Sequence, residues 1–180
     1  MSKFAIEAAT PADVTELLAL IRALARFEHL EHLMRCTEAD LAEALFGERP
    51  AVEVVVARAV DGTGISPAAG YALFFSNYST FLGRPGLYLE DVFVQPEYRR
   101  LGCGTALLVH VARIAHARGC GRFEWSVLDW NEPAQSFYRK LGASILPDWR
   151  IVRVTGDALA ALARRSCPAL DATASDHQGL

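Results

Sequence analysis

The sequence predicts one α/β domain, of the α+β kind, with helices flanking a mixed sheet. Three observations predict it. Strand-period and helix-period runs alternate along the chain in the order β-α-α-β-β-β-α-β-α-β-β. The 180 residues are 52% hydrophobic and 22% charged, which is ordinary globular composition and enough for one core. Residues 1–165 contain no repeat and no linker-like stretch, whereas 166–180 are small and polar and read as a loose tail.

Lys3 to Ala8 alternates and reads as a strand. Thr10-Pro11-Ala12-Asp13 is a helix start, with Thr10 as N-cap and Pro11 at the first helical position. The helix runs through Val14, Leu17, Leu18, Ile21, Leu24 and Ala25 and ends near Phe27-Glu28. Thr37-Glu38-Ala39-Asp40 opens a second, short helix that stops at Gly47. Val52 to Val60 is valine-rich and reads as a buried strand, closed by the turn Asp61-Gly62-Thr63-Gly64. Ala68 to Phe75 is the next strand, Asn77 to Gly86 a loop, and Leu87 to Val94 a further strand. An apolar-periodic helix runs from Thr105 to Arg118, then Arg122 to Leu128 is a strand. Asn131-Glu132-Pro133 starts a short helix ending at Leu141-Gly142. Ala143 to Leu146 and Trp149 to Val154 read as two more strands, and Gly156 to Arg165 as a terminal helix.

Between the strand Leu87–Val94 and its following helix lies Tyr98-Arg99-Arg100-Leu101-Gly102-Cys103-Gly104-Thr105. A strand, a basic glycine-rich turn and a helix start make a phosphate-binding device. Glycine lets backbone approach a ligand, and first-turn N–H groups with the helix dipole favour an anion. The turn is no Walker loop, since G-x-x-x-x-G-K-[ST] is absent. It is no Rossmann fingerprint either, since Leu107 stands where the third glycine belongs.

The bulk numbers narrow the field. Net charge is −3, so nothing argues for nucleic acid. Cys36, Cys103, Cys120 and Cys167 form no C-x-x-C pair and read as reduced thiols. The five histidines show no metal spacing, so no metal is expected. The N-terminus lacks a signal-peptide apolar core and no run approaches membrane-spanning length, so a cytoplasmic home and no membrane partner are expected.

Arg99-x-x-Gly102-x-Gly104 resembles the pyrophosphate loop of the GNAT N-acetyltransferases. Leu87 to Val94, Asp129 to Pro133 and Phe137 to Ala143 resemble, more closely, the spermidine/spermine and thialysine (diamine) acetyltransferases. The resemblance covers most of residues 3 to 155. It implies a mostly antiparallel sheet with a V-shaped splay between strands 4 and 5. It also implies acetyl-CoA as donor, a small primary amine as acceptor, direct attack on the thioester, and a homodimer.

Roles follow from the resemblance residue by residue. The backbone of Arg100, Leu101, Gly102, Cys103, Gly104 and Thr105 would hold the pyrophosphate, supplemented by Arg99 and Arg100. Val92, Phe93 and Val94 would flank the thioester and lend a backbone N–H to its carbonyl. Asn131, Glu132, Pro133 and Ala134 match a second cofactor contact, although they also make a good helix start without any ligand. Tyr138 is the expected general acid, because a phenol can protonate a leaving thiolate; simple packing against the sheet is the alternative. A lysine-like amine is neutral only in roughly one part in 10³ at neutral pH, so a carboxylate must take its proton. Glu90 on the strand fits that task, with Asp91, on the opposite face by alternation, or a structural salt bridge as alternatives. Phe27, Glu28, Glu124, Trp125 and Ser126 match substrate contacts; an exposed helix-end glutamate is the other reading of Glu28.

The chain departs from the polyamine enzymes in one instructive place. Their loop before the catalytic strand carries an aspartate, whereas Asn77 to Gly83 holds no acid. A polyamine has several cationic centres and benefits from several carboxylates, so a lysine-like amino acid or short diamine is favoured. Spermidine, spermine or a protein or peptide amine is the alternative acceptor. A non-catalytic acyl-CoA-binding regulatory module is the alternative of another class.

Overall fold

A computed structural model describes residues 3–60 and 67–165. The turn expected at Asp61–Gly64, Cys167, His177 and the tail 166–180 lie outside the described residues. The chain divides into two compact units, Met1–Leu128 and Asp129–Leu180.

The first unit holds β1 (Phe4–Ala8), α1 (Val14–Phe27), α2 (Glu38–Phe46), β2 (Glu53–Ala59), β3 (Ala68–Ser79), β4 (Arg84–Val94), α3 (Cys103–Ala117) and β5 (Arg122–Trp125). The sheet order is β1-β2-β3-β4-β5, antiparallel as far as β4. β5 then pairs with β4 in parallel, reached through α3 as a parallel crossover requires. Alternation sends Val54, Val56, Tyr71, Leu73 and Phe93 into one core with Leu17, Leu18, Leu41 and Leu45 of α1 and α2. Val55, Ala57, Ala72 and Phe74 fall on the other face, where α3 packs with its buried Leu107 and Val111.

The caps read from sequence form. Thr10 and Asp13 make a capping box at a short 3-10 turn before α1, and Thr37 and Asp40 make another at α2. Arg58 ties the sheet to this region through ion pairs to Asp13 and Glu16.

Three expectations change. Asn77 to Gly86 is no loop: β3 runs on to Ser79 and β4 starts at Arg84, leaving a four-residue turn, 80–83. Ser79 is buried, its Oγ accepts from Leu82 N–H at 3.2 Å, and Gly83 adopts φ +60°, so the polar residues close a hairpin. β5 ends at Trp125 rather than Leu128.

The second unit holds α4 (Glu132–Lys140) and α5 (Gly156–Ala163). Neither Ala143–Leu146 nor Trp149–Val154 forms a strand, which is the third change. A β-pattern without a partner has nowhere to place its backbone hydrogen bonds. Trp149 is 74% exposed and Val152 89%. Among the described residues no helix is long and apolar enough to cross a membrane.

Candidate active site

The site is built around the end of β4. β5 is in register with β4 only from Gly86↔Arg122 to Leu89↔Trp125. β4 continues to Val94, so among the described residues its last positions have no strand on that side. The free groups follow from alternation. Gln95 N–H bonds Ala69 O at 2.9 Å, across β3. The N–H groups of Phe93 and Asp91 therefore also face β3, while those of Val92 and Val94 face the gap. Two backbone donors in an open slot are what an acyl oxygen needs as it gains charge.

A β-bulge sits at the mouth of the slot. Leu73 pairs with Asp91 and Phe74 with Leu89, so Glu90 is the extra residue. The bulge breaks the simple alternation assumed from sequence. Leu89 is buried on the α3 face, Asp91 shares the α1 face with Phe93, and Glu90 is exposed between them.

On the α1 face, carboxylates collect. The Tyr71 hydroxyl donates to Asp91 Oδ2 at 3.1 Å, and Tyr71 is fully buried. Burial, opposed in part by that hydrogen bond and reinforced by the charges of Glu90 and Glu28, pushes the Asp91 carboxyl up to about 6. Burial also raises Glu28, the C-cap of α1, and Tyr71 is raised well above its ordinary value by burial and by Asp91. Phe27 and Phe93 carry the Arg99 guanidinium over their rings, 5.0 and 5.7 Å from the centroids. Arg99 Nε donates to Val94 O at 3.0 Å. This arginine, expected beside a pyrophosphate, is engaged with the strand end and the aromatic pair.

The loop after β4 has phosphate-binding geometry. Arg100 at φ +62° and Gly102 at φ +94° both lie in the left-handed region. Such a turn gathers successive N–H groups into a concavity. α3 then begins without a side-chain cap on Gly102, and Ala106 N–H makes the first helical bond back to Gly102 O. The N–H groups of Cys103, Gly104 and Thr105 thus crown the helix end. Arg100 and Leu101 are exposed. Cys103 is buried and its thiol is pushed up to about 11, so it is a protonated core residue.

The substrate residues expected on β5 are split by alternation. Glu124 lies opposite Tyr88 and Trp125 opposite Leu89, on the other face. Glu124 accepts from Asn77 Nδ2 at 3.0 Å and pairs with Arg122 at 3.3 Å, so its charge is already compensated. Ser126 Oγ meets Tyr88 Oη at 2.8 Å. Tyr71 escaped the sequence reading altogether; a tyrosine in an apolar strand carries no signal of the carboxyl across from it.

In the second unit, Asn131 Oδ1 accepts from Ala134 N–H at 3.2 Å and caps α4, with Glu132 and Pro133 in its first turn. Gln135 Nε2 bonds Asp129 O at 2.8 Å, which anchors the approach to the helix. Tyr138 is buried on α4, its ring 5.5 Å from that of Phe137. Among the described residues no three metal-ligating side chains cluster.

A mixed sheet with β4 and β5 diverging beside a glycine-rich loop defines an acyl-transfer scaffold. The family profile of the acetyltransferase (GNAT) family matches residues 16–143, and the chain belongs to that family. It is an acetyltransferase. It is 38% identical to an L-ornithine N5-acetyltransferase of Arabidopsis thaliana, covering 87% of this chain and 86% of the relative. It is also 38% identical to a thialysine N-epsilon-acetyltransferase of Mus musculus, covering 92% of this chain and all (100%) of the relative. Among solved structures it is similar to an integron cassette protein from the mobile metagenome of V. cholerae, with TM-score 0.74 and 27% identity over 92% of this chain and 99% of that one.

Proposed function

We propose that this enzyme transfers an acetyl group from acetyl-CoA to the primary amine of a small lysine-like amino acid or diamine. The open edge of β4 carries the reading: Val92 and Val94 N–H groups beside a left-handed glycine turn, with Glu28, Glu90 and Asp91 nearby. A thioester carbonyl is polarised at the first, a pyrophosphate is cradled at the second, and an ammonium is attracted by the third. The two 38%-identical relatives, named for ornithine and thialysine, support an amine on a short chain.

In this reading Phe27 lines the acceptor's alkyl chain and Glu28 and Glu90 bind its ammonium. Glu124 is the weaker candidate because of its existing partners, and Trp125 lies on the opposite face from Ser126 and Glu124. Asn131 to Ala134 touch the pantetheine arm, and Tyr138 protonates the leaving thiolate. One acetyltransferase domain spans 1–165, working as a cytoplasmic homodimer. The exposed apolar run around Trp149 and Val152 supports a second copy, and a monomer by light scattering at working concentration would remove that part.

The test is thiol release from acetyl-CoA with thialysine, lysine, ornithine, short diamines, spermidine, spermine and a lysine-bearing peptide. Turnover confined to the amino acids and short diamines is expected. Turnover confined to spermidine and spermine, or to the peptide, overturns the substrate class. CoA binding without turnover of any amine overturns the catalytic reading.

A further inference from the structure

We propose that Asp91 takes the proton from the attacking ammonium, and that Tyr71 is a positioning residue that fixes the Asp91 carboxyl for this task. The proposal rests on the acetyl-transfer reading and deepens it. Sequence reasoning favours Glu90 for the proton; the packing favours its neighbour.

Three observations meet at Asp91. Its side chain lies on the α1 face, with the aromatic pair Phe27 and Phe93. Its following residue is Val92, whose N–H faces the gap where the acyl oxygen is polarised. Proton acceptor and oxyanion donor thus sit on consecutive residues joined by one peptide unit, so a nitrogen attacking the carbonyl lies within reach of the carboxyl. Its Oδ2 is held by the hydroxyl of Tyr71, a ring fully buried in the core, which leaves Oδ1 for an incoming donor. Glu90, by contrast, is exposed on the bulge and has no such anchor among the described residues, which suits electrostatic capture rather than a fixed proton transfer.

The charged groups around Asp91 explain why it suits the role. Glu28 comes from the end of α1, Glu90 from β4, and Tyr71 from β3, while Arg99 lies across Phe27 and Phe93. Burial and the two glutamates oppose its ionisation and make it more basic, while remaining largely ionised above neutral pH. The proton balance is simple. The ammonium gives one proton to Asp91, and the neutral nitrogen forms the C–N bond as the C–S bond breaks. In this reading the thiolate takes the phenolic proton of Tyr138, which solvent restores, and the second proton lost from nitrogen passes to solvent. Asp91 returns its proton to solvent.

The experiment is the pH dependence of kcat at saturating amine for the wild type, Asp91→Asn, Tyr71→Phe and Glu90→Gln, using the amine that the wild type turns over fastest. Asp91→Asn is expected to lower kcat about 10²-fold or more. Tyr71→Phe keeps the ring but removes a hydrogen bond that favours the ionised carboxyl, so the acidic limb moves to higher pH. A role confined to packing would leave that limb in place. Urea midpoints of each variant establish that it is folded, and Asp91→Glu is expected to recover part of the lost rate. An Asp91→Asn enzyme within about twofold of wild type, beside a Glu90→Gln enzyme that has lost its rate, overturns the assignment. An unmoved acidic limb in Tyr71→Phe overturns the positioning role. A wild type inactive on every amine overturns the acetyl-transfer reading, and this proposal falls with it.

Discussion

Replacing Asp91 by Asn should make the protein more stable at neutral pH while removing its chemistry. The Asp91 carboxyl is raised from 3.8 to about 6 in the folded protein. A raised carboxyl is the reverse of the usual stabilising case. Above pH 6 the folded state holds a charge that it disfavours relative to the unfolded chain; below 3.8 both states are protonated and the penalty is gone. A difference of roughly two pKa units corresponds to about 3 kcal/mol at neutral pH. Asn retains an acceptor for the Tyr71 hydroxyl but adds an amide that must find a partner, which costs about 1 kcal/mol. The net expectation is a gain of about 1–2 kcal/mol at about pH 7.5, shrinking as the pH falls through 6 towards 4. Urea unfolding of both proteins at neutral pH and near pH 4 measures it. An Asn variant less stable than wild type at neutral pH, or an advantage that persists unchanged in acid, refutes the reasoning.

Two further substitutions probe the frame of the site. A Cβ on Gly70 would collide with the carbonyl oxygen of Phe93 on β4, so Gly70→Ala should cost about 1–3 kcal/mol in urea unfolding and lower acetyl-transfer kcat. Gly102 has open space around it but φ +94°, so Gly102→Ala should cost about 1–2 kcal/mol and weaken CoA binding by calorimetry, without a change in sheet content by circular dichroism.

Much of the frame was legible along the chain. The alternation of Phe4–Ala8, the valines of β2, the Thr10 and Thr37 caps and the helix after Gly102 are local patterns, and all appear at nearly the expected residues. The glycine turn before α3 could be read because glycine spacing and helix starts are also local. The split of Glu124 from Trp125 could have been read too, since neighbours on a strand face opposite ways.

Other features depended on partners far along the chain. Whether Asn77 to Gly86 was loop or hairpin depended on β3 and β4 pairing beyond their apolar cores. Whether Ala143 to Val154 became strands depended on a pairing edge, which no local pattern supplies. Arg99 had charge and position for an anion, yet two aromatic rings and a strand-end carbonyl hold it. The sequence by itself determined the order of elements as far as α4, the glycine turn and the set of carboxylates on β4, because periodicity, capping and backbone freedom act over a few residues. Only the tertiary structure decided which carboxylate is half-buried, anchored and made basic. That choice came from one extra residue at Glu90, a tyrosine from β3 and a glutamate from the end of α1, and electrostatics and desolvation depend on distance in space rather than along the chain.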